Sequence, residues 1–249
     1  MQALDDTCCP AYDDSMNVRQ FRLVLALLAF LASGTAIAAE KRYAISDFDR
    51  VQVFGPFNVT IQTGRATSVT ATGDLQALDI VSVTSNGGIL TIQTLTRARS
   101  SWKEEPHPAA KFLVVLPQLK GVRLFGSGSI AVAELRGIAT NVSLNGGGLL
   151  NIAKLTADAA DVYLSGSGRI ALGGSAKNIS MKASGSGDID ASMLSASDLK
   201  IESGTSGRVI AKALRTADIK QNGPGEVHVT GSPSCLVENS GAGTVDCGD

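Results

Sequence analysis

The stretch Leu124–Val132, "LFGSGSIAV", is written again at 144–152 as "LNGGGLLNI", at 164–172 as "LSGSGRIAL" and at 183–191 as "ASGSGDIDA". Taking the first glycine of each element as reference gives Gly126, Gly146, Gly166 and Gly185, then a degenerate Thr205, then Gly223 and Gly241. The intervals are 20, 20, 19, 20, 18 and 18 residues, so seven units fill the chain from about Val122 to its end. Internal repetition at such a period is the signature of a stacked architecture.

Within a unit every second residue is apolar or small. Four positions before the reference stand Val122, Val142, Val162, Met181, Ile201, Ile219 and Val237; four after it stand Ile130, Leu150, Ile170, Ile189, Val209, Val227 and Val245. A period of two is a strand with these residues on one face. A further apolar position, nine after the reference, holds Leu135, Leu155, Leu194 and Leu214. No unit buries its apolar face alone, but stacked units do, which predicts an all-β, parallel β-helix-like solenoid with one rung per unit.

The outward positions separate this from an antiparallel meander. One column reads Arg169, Asp188, Arg208, Glu226, and another reads Lys182, Glu202, Lys220, Glu238. Both alternate in sign. In-register parallel stacking places such neighbours about 4.8 Å apart in backbone spacing, where opposite charges pair. Both glycines of Gly-x-Gly fall in the inward register, where a strand glycine costs about 0.5–1 kcal/mol against alanine. Their repetition therefore marks a corner or a close backbone approach. A phosphate loop would need a following helix, whereas strand patterns follow here. Calcium-binding repeats need acids on successive short repeats, and Asp188 and Asp190 stand on one rung.

The 249 residues carry a net charge near −1, so no basic excess is available for nucleic acid. From Met16 the chain reads "MNVRQFR", then "LVLALLAFLA", then "SGTAIA" before Ala39. A basic start, a short apolar run and the small residues Ala36 and Ala38 predict a signal peptide at 16–38 cleaved before Ala39. The acidic residues 1–15 read as an over-extended gene start. The mature chain, 39–249, is then one exported domain in the periplasm, on the outer surface or outside the cell, with no transmembrane anchor. It has a less regular β-rich part at 43–120 and the regular stack at 121–249.

In the first part "VQVFGPFNVTI" reads as an earlier rung, with Phe57 in place of the second glycine. "VSVTSNGGILTI" reads as two strands joined by an Asn86–Gly87 turn. The polar loop "TRARSSWKEEPHPAA" holds Trp102 and His107. Trp102 is a candidate contact residue, although such a residue more often folds back over its own sheet. In the last unit Cys235 and Cys247 lie six residues either side of Gly241, in the inward register on both arms. Export permits a disulfide there.

The run "FDRVQVFGPFNVTIQTG", then "LDIVSVTSNGGILTI", then "FLVVLPQLKGVRLFGSGSI" and the Gly-Ser-Gly units resemble the head GIN domain family, described as putative autotransporter adhesins. The resemblance covers about residues 48–231. It implies a right-handed β-helix-like fold and a bacterial envelope protein, and it supplies no catalytic residues, cofactor or metal. Since no transmembrane barrel follows the repeats, self-translocation is not expected. The sequence holds no nucleophile elbow and no metal-spaced histidine pair. The expectation is a non-enzymatic interaction or structural module, adhesive in one form, with a protein or glycan partner and an undetermined oligomeric state. The alternative is a carbohydrate-active β-helix that binds or cleaves polysaccharide.

Overall fold

The computed structural model describes residues 39–95 and 110–248. It is a β-solenoid of about six turns of roughly 20-residue rungs. Seven repeat units enclose six intervals, which is the number of turns. Five long strands carry the stack: β9 (Ser129–Asn145), β10 (Leu149–Gly166), β11 (Arg169–Gly185), β12 (Asp188–Thr205) and β13 (Arg208–Gln221). Each starts just after one Gly-x-Gly corner, bends at a far corner, and runs to the next Gly-x-Gly corner. Their neighbours are parallel and almost fully in register.

Both apolar columns of the sequence are columns of the molecule. Val122, Val142, Val162, Met181, Ile201, Ile219 and Val237 pair successively. So do Ile130, Leu150, Ile170, Ile189, Val209, Val227 and Val245. Apart from Val237 and Val245 in the last rung, these side chains are buried and form one continuous core. Burying a residue of this kind stabilises by about 1.5–3 kcal/mol relative to exposure. The columns are what hold the turns together.

The first rung is β2 (Arg50–Phe54) with β3 (Asn58–Thr63), and it lies in register under β8 (Gly121–Phe125) and β9. Phe57 occupies the second-glycine position, 6% exposed and edge-to-face on Phe112. Below it the solenoid is closed by further strands. β6 (Ile89–Thr94) joins β2 in parallel, and β5 (Val81–Asn86) joins β6 antiparallel. On the other arm β7 (Lys111–Leu116) joins β3 in parallel. β4 (Ser68–Gly73) and β1 (Ala39–Tyr43) then follow antiparallel. A short helix, α1 (Leu75–Asp79), is capped by Asp74 and buries Ala77 and Leu78. The far end is β14 (Glu226–Thr230), then β15 (Ser234–Asn239) and β16 (Thr244–Cys247), which form the last rung.

Three expectations are corrected. The β5–β6 turn is centred on Gly87 and Gly88, both at positive φ, because Asn86 still pairs with Ile89. Leu214 does not join Leu135, Leu155 and Leu194 inside; it is 57% exposed. The 18-residue rung gives up residues at the far corner, where the register shifts between Ala191 and Ser195, and Ala213 takes the inward place. The glycines do not face the core void. A Cβ on Gly146, Gly148, Gly166, Gly168 or Gly185 would lie 2.5 Å from the carbonyl oxygen of the equivalent glycine one rung below. Glycine is required there because backbone stacks on backbone.

Candidate functional site

The Gly-x-Gly corner is a hydrogen-bonded ladder. The Gly146 carbonyl accepts from the N–H groups of Ser167 and Gly168, and the Gly166 carbonyl from those of Ser186 and Gly187. The side chain between the two glycines points outward, and Ser127, Ser167, Ser186 and Ser206 are all exposed. Leu124, Leu144 and Leu164 each place Cδ2 where a Cβ on the second glycine of the next rung would lie. From Ala183 the same inward column turns small and polar, continuing with Ser203, Gln221 and Asn239. Where the leucine is lost, Thr205 replaces the reference glycine. It is fully buried, donating to the Gly187 carbonyl and accepting from the Gly207 N–H.

Beside this corner lie the charge columns. Asp188 pairs with Arg169 at 2.9 Å and accepts the backbone N–H of Arg208 at 2.9 Å. That N–H, followed by the Arg169 guanidinium, holds the Asp188 carboxyl below the usual range. Glu226 stands in register with Arg208 but makes no ion pair among the described residues. In the second column Lys182 meets Glu202 at 2.8 Å and Lys220 meets Glu238 at 2.9 Å. Glu202 is held low by Lys182 and then Lys200, while Lys182 is raised by Glu202 and Lys220 by Glu238. The columns are in register throughout, but the side chains pair two by two. Like most exposed pairs, each is worth about 0–1 kcal/mol.

Asp190 does not join Asp188 as a catalytic pair. It accepts from the hydroxyl and N–H of Ser192 and is held low by those bonds. Both acids are therefore ionised at neutral pH, whereas glycoside cleavage needs one carboxyl that keeps its proton. Phe125 is stacked on Phe54 with centroids 4.6 Å apart, so it offers no free sugar platform, and Tyr163 is 40% exposed. Among the described residues no group of three His, Cys, Asp or Glu side chains is placed to hold a metal.

The far corner carries features the sequence did not single out. Asp198 binds the Arg215 guanidinium through both carboxylate oxygens and accepts from the Thr216 hydroxyl. Asp158 meets Lys177 at 2.7 Å, and Glu134 bridges Arg136 and Lys154. Between these pairs runs a shallow groove, with Thr156, Ser175 and Ser195 on its floor and Ile138 and Leu214 at its sides. Ile138 is 80% exposed, and Met193, on the neighbouring arm, is equally bare.

At the last rung Cys235 and Cys247 are joined in a disulfide. It spans the two arms over Val227 and Val229, which remain fully buried beneath it. Asn239 accepts from the Gly241 N–H and donates to the Gly243 carbonyl, much as Gln221 donates to Gly223 and Gly225 one rung below. Trp102, His107, Ala36 and Ala38 lie outside the described residues, while Ala39 opens β1. No helix among the described residues is long and apolar enough to cross a membrane.

Solved structures share this solenoid. A putative adhesin from Bacteroides fragilis superposes with a TM-score of 0.76 at 21% identity, covering 86% of this chain and 98% of its own. A putative lipid binding protein from Parabacteroides distasonis gives 0.62 at 19% identity, over 87% and 98%. A putative adhesin from Parabacteroides merdae gives 0.59 at 17%, again over 87% and 98%. No curated protein matches the chain. At these identities the structures establish the fold alone. The family model that describes a putative auto-transporter adhesin with a head GIN domain matches residues 47–233, from the strand before the first rung to the start of the last. With the Gly-x-Gly ladder inside that span, the chain belongs to this head GIN domain family.

Proposed function

We propose that the protein is an exported, non-enzymatic interaction module of a bacterial envelope, adhesive through the flank of its solenoid. A leader at 16–38 is removed ahead of Ala39, and the product works in the periplasm, on the outer surface or outside the cell. The family's adhesin description supports the interaction role. One observation carries the choice of surface: Ile138 and Leu214 stand bare beside a groove rimmed by the Asp158–Lys177 pair and Arg136. Apolar side chains set in a charged rim have the anatomy of a contact surface. The serine face has no such anchors, and its polar columns fit weak contacts shared over several rungs. The partner is an extended envelope or host-surface chain, protein or glycan, lying along the rungs.

The test is binding of the purified protein to envelope extracts, host-surface preparations and a glycan array. Ile138→Lys combined with Leu214→Lys is expected to weaken binding at least about tenfold, the loss of about 1.4 kcal/mol. Asp188→Arg, on the opposite corner, should leave it unchanged. Equal loss in both variants would refute the choice of surface. Turnover of a polysaccharide, abolished by Asp188→Asn or Asp190→Asn, would overturn the non-enzymatic reading in favour of a carbohydrate-active one.

A further inference from the structure

The two ends of the solenoid are built differently. At the N-terminal end the arms are extended unequally beyond the first rung: β3 is followed by β7, β4 and β1, and β2 by β6 and β5. That edge is staggered by one strand. At the C-terminal end β15 pairs only with β13 and β16 only with β14, so the last rung ends level on both arms. Among the described residues nothing pairs with its outer edge. Alternate residues there present N–H and C=O groups outward, which is a template for another strand. Leu236 and Val237 are 62% and 43% exposed on this edge.

The usual protections are weak. Neither strand contains lysine, arginine or proline. Their acids, Glu238 and Asp246, are drawn down to Lys220 and His228 on the rung beneath. The order of residues along the edge is also self-complementary. Ser234, Leu236 and Glu238 face outward, and Cys235, Val237 and Asn239 continue the inward columns, by their register with β13. A second copy turned about a two-fold axis through Leu236 would run antiparallel to the first. Leu236 then lies against Leu236 of the second copy, Ser234 against its Glu238, and Cys235 against its Val237. Around Val245 on the other arm, the same axis sets Thr244 against Asp246 of the second copy. Inward residues meet inward residues on both arms, and no acid is placed opposite an acid.

We propose that the C-terminal rung is a tail-to-tail homodimer interface, joining two copies of this chain by antiparallel pairing of β15 with β15 and β16 with β16. The symmetry is closed, so assembly stops at two. Head-to-tail growth into a filament is disfavoured, because the staggered N-terminal edge cannot meet a level rung on both arms at once. The contact is one rung in cross-section and falls among small interfaces, below about 1,200 Å² in total, which associate weakly.

The experiment is sedimentation velocity of the purified, oxidised protein at loading concentrations from about micromolar to millimolar. The expected result is a reversible monomer–dimer equilibrium with no larger species. Leu236→Lys should raise the dissociation constant at least about tenfold. Leu149→Lys, on a side chain 57% exposed on the solenoid flank, should not. Both positions are exposed, and unchanged far-UV circular dichroism establishes that each variant is folded. Hydrogen exchange should slow with concentration over residues 234–247 alone. A protein that stays monomeric throughout overturns the proposal. So do open-ended oligomers, or a dimer broken by Leu149→Lys and not by Leu236→Lys.

Discussion

Replacing Gly168 by alanine isolates the steric argument for the corner. The residue is buried and its φ is not positive, so no left-handed strain is involved. Its Cβ would lie 2.5 Å from the Gly148 carbonyl oxygen and 2.7 Å from Leu144 Cδ2. Leucine can turn aside, but the carbonyl cannot, because it accepts the Arg169 N–H at 3.0 Å. Relieving the overlap means lifting one coil off the next at that corner. Overpacking of this kind costs about 1–3 kcal/mol. Stretching the Arg169 bond and the Gly168 N–H bond to the Gly146 carbonyl adds about 1 kcal/mol. Alanine's effect on the unfolded chain offsets about 0.4–1 kcal/mol of this. The net expectation is a loss of about 3 kcal/mol, or a fall of roughly 6–12 °C in Tm for a domain of this size. Gly147→Ala is the control, since its Cβ meets only the flexible Ser167 hydroxyl, at 3.4 Å. It should change stability by less than about 0.5 kcal/mol. The assay is thermal and urea unfolding followed by far-UV circular dichroism. Similar stabilities for the two variants would refute the claim that coil-on-coil backbone contact demands the second glycine.

Asp188→Arg should destabilise by less than about 1 kcal/mol and by less still in high salt, and Arg169→Asp in the same chain should recover the ion pair though not the Arg208 N–H bond. The depressed Asp188 pKa stabilises the fold above its unfolded value near 3.9, and that contribution is lost as pH falls through the lower folded value. Asp188→Asn should therefore flatten the acid limb of stability against pH below about 4, with no change near neutrality, as urea midpoints will show. Cutting the Cys235–Cys247 link by a double serine substitution should speed hydrogen exchange in β15 and β16 while leaving β10 and β11 protected, because rung stability is mostly a nearest-neighbour property.

The regular stack was legible because its periodicity is strict: the residues four before and four after each reference glycine are the core columns, and the in-register charges follow from the same count. The disulfide positions could be placed by the same arithmetic. Legibility failed where the count changes. Leu214 sits in an 18-residue rung that sheds residues at the far corner, and nothing in the sequence says which corner yields. The same shortening hides the pairing of Asp198 with Arg215, 17 residues on and out of step with the repeat. The groove beside Ile138 and Leu214 is a product of that corner and was missed with it. A residue apolar yet out of period, such as Ile138, was the one signal available. The closing strands β4 and β1 lie outside any repeat, so periodicity was silent about them.

The inward column of Leu124, Leu144 and Leu164 gives way to Ala183, Ser203, Gln221 and Asn239, so the core loses apolar content in the direction of synthesis. A chain made from its N-terminus presents the capped end and the leucine-bearing coils first. Each later coil then docks on a finished template for a smaller hydrophobic gain. Growth is therefore templated and one-way, and the polar coils order last and loosen first. Loss of the last coils by force or heat leaves the earlier ones standing, with a fresh level edge at each step on which the chain can wind back.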